Sequence, residues 1–442
     1  MRGSAHISRR TAALATTAAL VTGLLAGCAD DSGGSGRRGS GGSADGKKTV
    51  TVGVFGVFGY KQAGLYDEYQ KMNPDVVIKE TSIERADQYY PQLLTHLGTG
   101  SGLQDIQAIE VGNIAETVNR HAGKFVDLGR ADGVDRKNWL DWKWDQATAE
   151  DGRTIGLGTD IGPMAICYRK DLFEKAGLPT DREKVGALWA GDWEKYVETG
   201  EKYMKKAPSG TVYMDTAIGL FNASVSGRVE RYYDRDGELI YRKSPAVKDS
   251  WELAMRAVEG KMTARLKQFD KPWDQAYANG RFATVSCPAW MLGYIKEKAG
   301  PQAADQWDIA PAPAPANWGG SFLSVPEAAK NKEEAVKLAT WLTAPEQQAK
   351  LFREQASFPS SPKTYAMPEV AGAKHGYFGD APIGEIFSQA AEDMPTLVLG
   401  EKDLAIQTAF TDVGVLQVEQ QGKSPEAGWA AALKNIDNLL DR

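Results

Sequence analysis

Short apolar strands alternating with helical stretches from residue 48 onward constrain this chain more than any other feature. KTVTVGVF (48–55) is β-branched and apolar, the composition of a buried strand. Residues 65–72 place Leu65, Tyr69 and Met72 at helical spacing, Asn73-Pro74 stops that helix, and 76–78 opens another strand. Residues 89–97 read again as helix, and DIQAIEV (105–111) again as strand. Such alternation indicates α/β units on a largely parallel sheet. Ligands of open sheets sit at the carboxyl ends of the strands, on the loops that leave them. Those loops are 56–60, 82–87 and 112–113.

Two later segments break the pattern. GLGTDIGP (156–163) is rich in glycine and ends in proline, a composition suited to a hinge-like crossing. IAPAPAPAN (309–317) is incompatible with a helix or a central strand and favours an extended, semi-rigid crossing. Between them, KDLFEKAGLP reads as a short helix with Asp171 near its start, Gly177 as its cap and Pro179 just beyond.

The N-terminus carries an export signal. Arg2, Arg9 and Arg10 form a basic start, and TAALATTAALVTGLL (11–25) is apolar and uncharged. That run is shorter than the ~20 apolar residues a membrane-spanning helix needs, so it reads as a signal peptide over 1–27. Leu25-Ala26-Gly27-Cys28 resembles the lipobox of bacterial lipoproteins, which implies lipid attachment at Cys28. The Gly/Ser-rich stretch that follows, making 28–46 lipidated cysteine plus tether, has nothing to fill a core.

The remainder is longer than one hydrophobic core usually serves, so two lobes are expected. The chain is mildly acidic, with a formal net charge of −6 and no basic block beyond Arg37-Arg38, which argues against nucleic-acid binding. None of the four histidines has zinc-ligand spacing, so neither a metal nor another cofactor is expected. Of the three cysteines, Cys167 and Cys287 remain after Cys28, each in a strand-like run (MAICY, FATVSC). An even pair in an oxidising compartment is expected to bridge adjacent strands of one lobe.

The motif order then becomes informative. The lipobox, TDIGP, KDLFEKAGLP, GDWEKYVETGEKY, FATVSCPAWMLG, WGGSFLSVP and KLATWLTAPEQQAKLF follow one another. Together they resemble the extracellular solute-binding proteins of carbohydrate ABC importers (family 1), across 48–442. VFGYK, SGLQDIQAIEVGNIAE, NWLDWKW and SCPAWMLG resemble most the actinobacterial cello-oligosaccharide-binding lipoproteins. The resemblance implies an α/β, two-lobed periplasmic-binding-protein-like (clam-shell) fold with crossing hinge strands. Lobe one would be 47–163 plus 311–345 and lobe two 164–310 plus 346–442. It implies a non-enzymatic monomer on the outer face of the cytoplasmic membrane. Its partners would be an oligosaccharide, membrane permease subunits and a separate ATPase.

A β-1,4-glucan is flat, with equatorial hydroxyls and two apolar faces, so it needs aromatic platforms edged by carboxylates and amides. Trp290 follows a strand and a Cys-Pro-Ala turn, and the family commonly stacks a tryptophan there on sugar. Trp318, with Gly319 and Gly320, follows the proline-rich crossing, and Trp273 lies at a helix end. Phe58 and Tyr60 occupy the first loop, Glu84 and Arg85 the second, Glu110 and Asn113 the third, and Asp160 the TDIGP crossing. These twelve are the candidate ligand-binding residues; no catalytic residue is assigned. Trp139, Trp142 and Trp144 are read as packing, and Trp193, Trp251, Trp341 and Trp429 as core. The competing functions are a binding protein for xylo- or malto-oligosaccharide or peptide, a secreted glycoside hydrolase, and a structural envelope lipoprotein. A hydrolase would need two carboxylates about 5–9.5 Å apart, and no local hydrolase signature is present.

Overall fold

The computed structural model describes residues 46–441. The signal peptide, Cys28 and nearly all of the tether lie outside them. Among the described residues, nine strands form two sheets. They are β1 (Lys48–Phe55), β2 (Val76–Ile83), β3 (Ile106–Glu110), β4 (Leu157–Gly158), β5 (Met164–Arg169), β6 (Val212–Met214), β7 (Phe282–Pro288), β8 (Trp307–Pro311) and β9 (Ser321–Ser324). The first sheet runs β2-β1-β3-β9-β4 and the second β6-β7-β5-β8.

β1 pairs in parallel with β2 (Lys48↔Val76 to Phe55↔Ile83) and with β3 (Val52↔Ile106), whereas β9 enters antiparallel (Glu110↔Ser321). The period-two placement of Val50, Val52 and Val54 puts all three at zero exposure in one core. The helix Leu65–Met72 packs on that face, but through Leu65, Tyr66 and Tyr69. Met72, which the spacing placed on the same face, is 55% exposed.

In the second sheet, β5 is buried on both faces. Ala165 and Cys167 enter a core with Trp273, Tyr277 and Trp307, while Met164, Ile166 and Tyr168 enter another with Tyr196 and Tyr213. Antiparallel pairing of β5 with β7 sets Ala165 opposite Cys287, so Cys167 is a same-face diagonal neighbour of Cys287. Their sulfurs are bonded, with Cα atoms 5.5 Å apart.

Three segments run side by side between the sheets. Residues 159–163 leave β4 for β5, 312–320 return from β8 to β9, and 356–361 follow the helix Pro345–Gln355. Pro163 bridges Asn317 and Asp160 bridges Pro359. Gly162 N–H donates to Asn317 Oδ1 (2.9 Å), Trp318 N–H to Gly162 O (2.9 Å), and Ile161 N–H to Phe358 O (2.9 Å). No helix among the described residues is long and apolar enough to cross a membrane.

Candidate ligand-binding cleft

The loops leaving β1, β2 and β3 face elements packed around the second sheet. Arg85, after β2, reaches Asp270 Oδ1 at 3.4 Å. Glu116, in the helix that follows β3, meets Lys402 Nζ at 2.6 Å, and Arg120 meets Glu401 at 2.6 Å.

Trp290 stands one residue past the Pro288-Ala289 turn and begins the helix Met291–Ala299. Its indole Nε1–H donates to Trp318 O at 2.9 Å, and the two rings meet edge to face, 6.1 Å apart at 84°. Both side chains are half-buried. Gly319 and Gly320 make this approach possible. At φ of +121° and +110° they hold backbone that L residues rarely adopt. A Cβ on Gly319 would stand 2.6 Å from Trp290 Nε1, and one on Gly320 2.8 Å from Asp160 O and 2.9 Å from Lys143 Nζ.

Beside the tryptophans lies a charged floor. Glu110 accepts from Gly112 N–H at 2.6 Å and so caps the helix Val111–His121. Burial pushes its carboxyl up to about 7, against the Gly112 hydrogen bond and the Lys143 charge. Asp160 Oδ1 accepts from Ser321 N–H (2.9 Å) and Thr159 Oγ1–H (2.6 Å). Burial raises Asp160 as well, with Lys143 opposing. Asn113 is buried in the first turn of the capped helix.

Two aromatic candidates are corrected. Trp273 has no exposed surface; its Nε1–H donates to Asp215 Oδ2 at 2.8 Å, deep in the second-sheet core. It lies on the inward face of the helix Lys271–Ala278, so it backs the cleft and offers it no ring face. Tyr60 is likewise wholly buried, packed on Tyr66 at 5.9 Å, because the first loop folds back over its own core. Phe58 stays half-buried between Phe55 (5.3 Å) and Tyr60 (5.8 Å). Arg85 forks onto Asp87 (3.0 and 2.6 Å) besides reaching Asp270, so its donors serve as a tie across the cleft. Glu84 is exposed and adds to the negative field around the Tyr294 phenol, after burial and the Asp274 hydrogen bond.

Sequence reasoning missed Lys143. It is wholly buried, makes no hydrogen bond among the described residues, and lies 3.8 Å from the centre of the Phe322 ring. Burial pushes it down to about 8, with Asp160 and Glu110 holding it up. The buried Arg231–Asp403 pair on the other side of Glu110 was also missed. A lysine inside an aromatic helix gives no signal that distinguishes it from a solvated one.

Residues 64–377 match the bacterial extracellular solute-binding protein family. A lactose-binding protein of Rhizobium radiobacter is 24% identical over 364 residues, covering 78% of this chain and 82% of its own. A solved extracellular solute-binding protein of family 1 superposes with a TM-score of 0.76 at 38% identity, over 88% of this chain and 99% of that one. The ABC-transporter-associated binding protein of B. animalis subsp. lactis Bl-04, in complex with β-1,6-galactobiose, has the same fold (TM-score 0.75, 19% identity, 88% and 97% covered). The chain belongs to the bacterial extracellular solute-binding protein family. It has that family's two-lobed α/β fold, works outside the cytoplasm, and is a binding protein rather than an enzyme.

Proposed function

We propose that this protein captures a β-1,4-linked gluco-oligosaccharide, cellobiose or cellotriose, and hands it to the permease of an ABC importer driven by a separate ATPase. The observation that carries the reading is the half-buried Trp290–Trp318 pair set against the Glu110 and Asp160 carboxylates at the crossings between sheets. A flat apolar sugar face matches the Trp290 ring, with Trp318 edge-on beside it, and equatorial hydroxyls match the carboxylates. The related proteins named for lactose and solved with β-1,6-galactobiose support an oligosaccharide; the cello-type motifs support the β-1,4-glucan. We take lobe one as 47–163 plus 311–345 and lobe two as 164–310 plus 346–442, with 159–163 and 312–320 bending between them. Sugar favours the closed arrangement through contacts made on both sides at once. A lipid on Cys28 and the tether would hold a monomer at the outer membrane face.

Titration calorimetry against cellobiose, cellotriose, xylobiose and maltose tests this. Saturable heat with the cello-sugars alone is expected. Binding confined to xylobiose or maltose would keep the importer role and overturn the sugar. No binding to any of them would defeat the oligosaccharide reading.

A further inference from the structure

Residues 261–270 connect the helix Pro245–Glu259 to the helix Lys271–Ala278, and their backbone is unusual. Lys261, Arg265 and Phe269 all have positive φ (53°, 58° and 66°) without being glycine. A side chain with a Cβ is disfavoured there, so the surroundings must hold each residue in place. The restraints are present along the loop. Gln420 Nε2–H donates to Arg265 O (3.3 Å), Lys267 pairs with Asp412 (2.7 Å), Gln268 Nε2–H donates to the buried Asp215 (3.0 Å), and Asp270 ties to Arg85.

What this pinned loop presents is the Phe269 ring. Trp273 backs it at 5.0 Å, Tyr294 meets it edge-on at 5.9 Å, and Trp290 lies beside it at 6.2 Å with only 31° between planes. Trp273 is wholly buried, whereas Phe269 keeps part of its surface open, as Trp290 does. Phe269 packs on the core that holds Trp273 with part of its surface uncovered, and its left-handed backbone sets the direction in which the ring leaves the loop. The ring centres of Phe269 and Trp290 are 6.2 Å apart and those of Trp290 and Trp318 6.1 Å. Trp318 stands nearly perpendicular to Trp290, so it ends the surface instead of extending it.

We infer that Phe269 is a second sugar-stacking residue contiguous with Trp290, and that Trp318 walls off one end, so the site reads two successive sugar units in register. The inference rests on the oligosaccharide reading above and adds its subsite arrangement.

Two variants test it in parallel with wild type, by calorimetry with cellobiose and cellotriose and by thermal melting. Phe269→Gly removes the ring and suits the left-handed backbone; Phe269→Leu keeps apolar packing without a flat face. Each should weaken binding of both sugars about tenfold, the scale of one lost aromatic contact, while melting close to wild type. Wild-type affinity in both variants would overturn the assignment and leave the oligosaccharide reading standing. The same holds if Phe269→Leu binds normally while Phe269→Gly loses affinity together with its fold. Failure of the wild type to bind either sugar would instead defeat the cello-oligosaccharide reading, and this subsite with it.

Discussion

The Gly319 contact offers a direct test of how Trp290 is held. In Gly319→Ala the new methyl would stand 2.6 Å from Trp290 Nε1 and 3.3 Å from Cδ1, closer than non-bonded carbon atoms approach. The φ of +121° adds backbone strain on the order of 1–3 kcal/mol for any residue with a Cβ. If the indole swings away, its 2.9 Å hydrogen bond to Trp318 O is lost, worth about 0.5–1.5 kcal/mol. The sum is a destabilisation of about 1.5–4.5 kcal/mol. Because the displaced group is the proposed platform, affinity for cello-oligosaccharide should also fall by about tenfold or more, since about 1.4 kcal/mol of lost contact is enough. Gly293→Ala is the control. It lies in the helix that Trp290 starts, and its methyl would meet Gln355 O at an ordinary 3.4 Å. Alanine in a helix interior is favoured by about 0.5–1 kcal/mol, so this variant should keep its affinity and its stability. Denaturant unfolding and calorimetry on both variants decide the matter. A folded Gly319→Ala protein with wild-type affinity would refute the view that this glycine positions the site.

Two further outcomes follow from the burial of specific groups. Glu110 titrates at about 7 in the fold against an ordinary 4.5, so between those values the folded state holds a proton that the unfolded state releases. Stability from this group therefore falls as pH rises through that window, by at most about 3 kcal/mol. Burial pushes Asp215 up to about 7 as well, so Glu110→Gln should reduce the pH dependence of unfolding free energy there without abolishing it, and an unchanged slope counts against it. The Cys167–Cys287 bridge joins residues 120 apart in sequence, so its reduction should lower the unfolding free energy by about 5 kcal/mol on the chain-entropy scale. Guanidinium unfolding with and without reductant, with free thiols counted, measures this; an unmoved transition after full reduction would contradict it.

The local grammar of the chain made β1 to β3 legible, because β-branched runs and helical spacing alternate there without ambiguity. The breaker segments run between the sheets over 159–163 and 312–317, but Leu157–Gly158 pairs as β4 and residues 309–311 pair as the end of the edge strand β8. The cysteine pair was readable from parity and from its two strands. What sequence did not reveal depends on long-range packing. Trp273 and Trp290 both sit near helix ends, and only long-range contacts, with buried Asp215 for the one and Trp318 O for the other, leave the first wholly buried and the second half-buried. Tyr60 lies in a loop but is covered by that loop's return over the first core. Lys143 is enclosed because Gly158, Gly320 and Ser360, distant in sequence, close around its helix. The third crossing, 356–361, carries no breaker pattern comparable to the other two.

The charged pairs along the cleft have a consequence for the surroundings this protein works in. Arg85–Asp270, Glu116–Lys402 and Arg120–Glu401 each join the first-sheet side to the second-sheet side, and all keep contact with solvent. Each contributes about 0–1 kcal/mol, and dissolved salt screens them progressively. A molecule working outside the cytoplasm meets whatever ionic strength its habitat supplies. Under the proposed closure, dilute water therefore favours the shut arrangement of the empty protein and brine the open one, so one sugar concentration would fill it to different extents in the two.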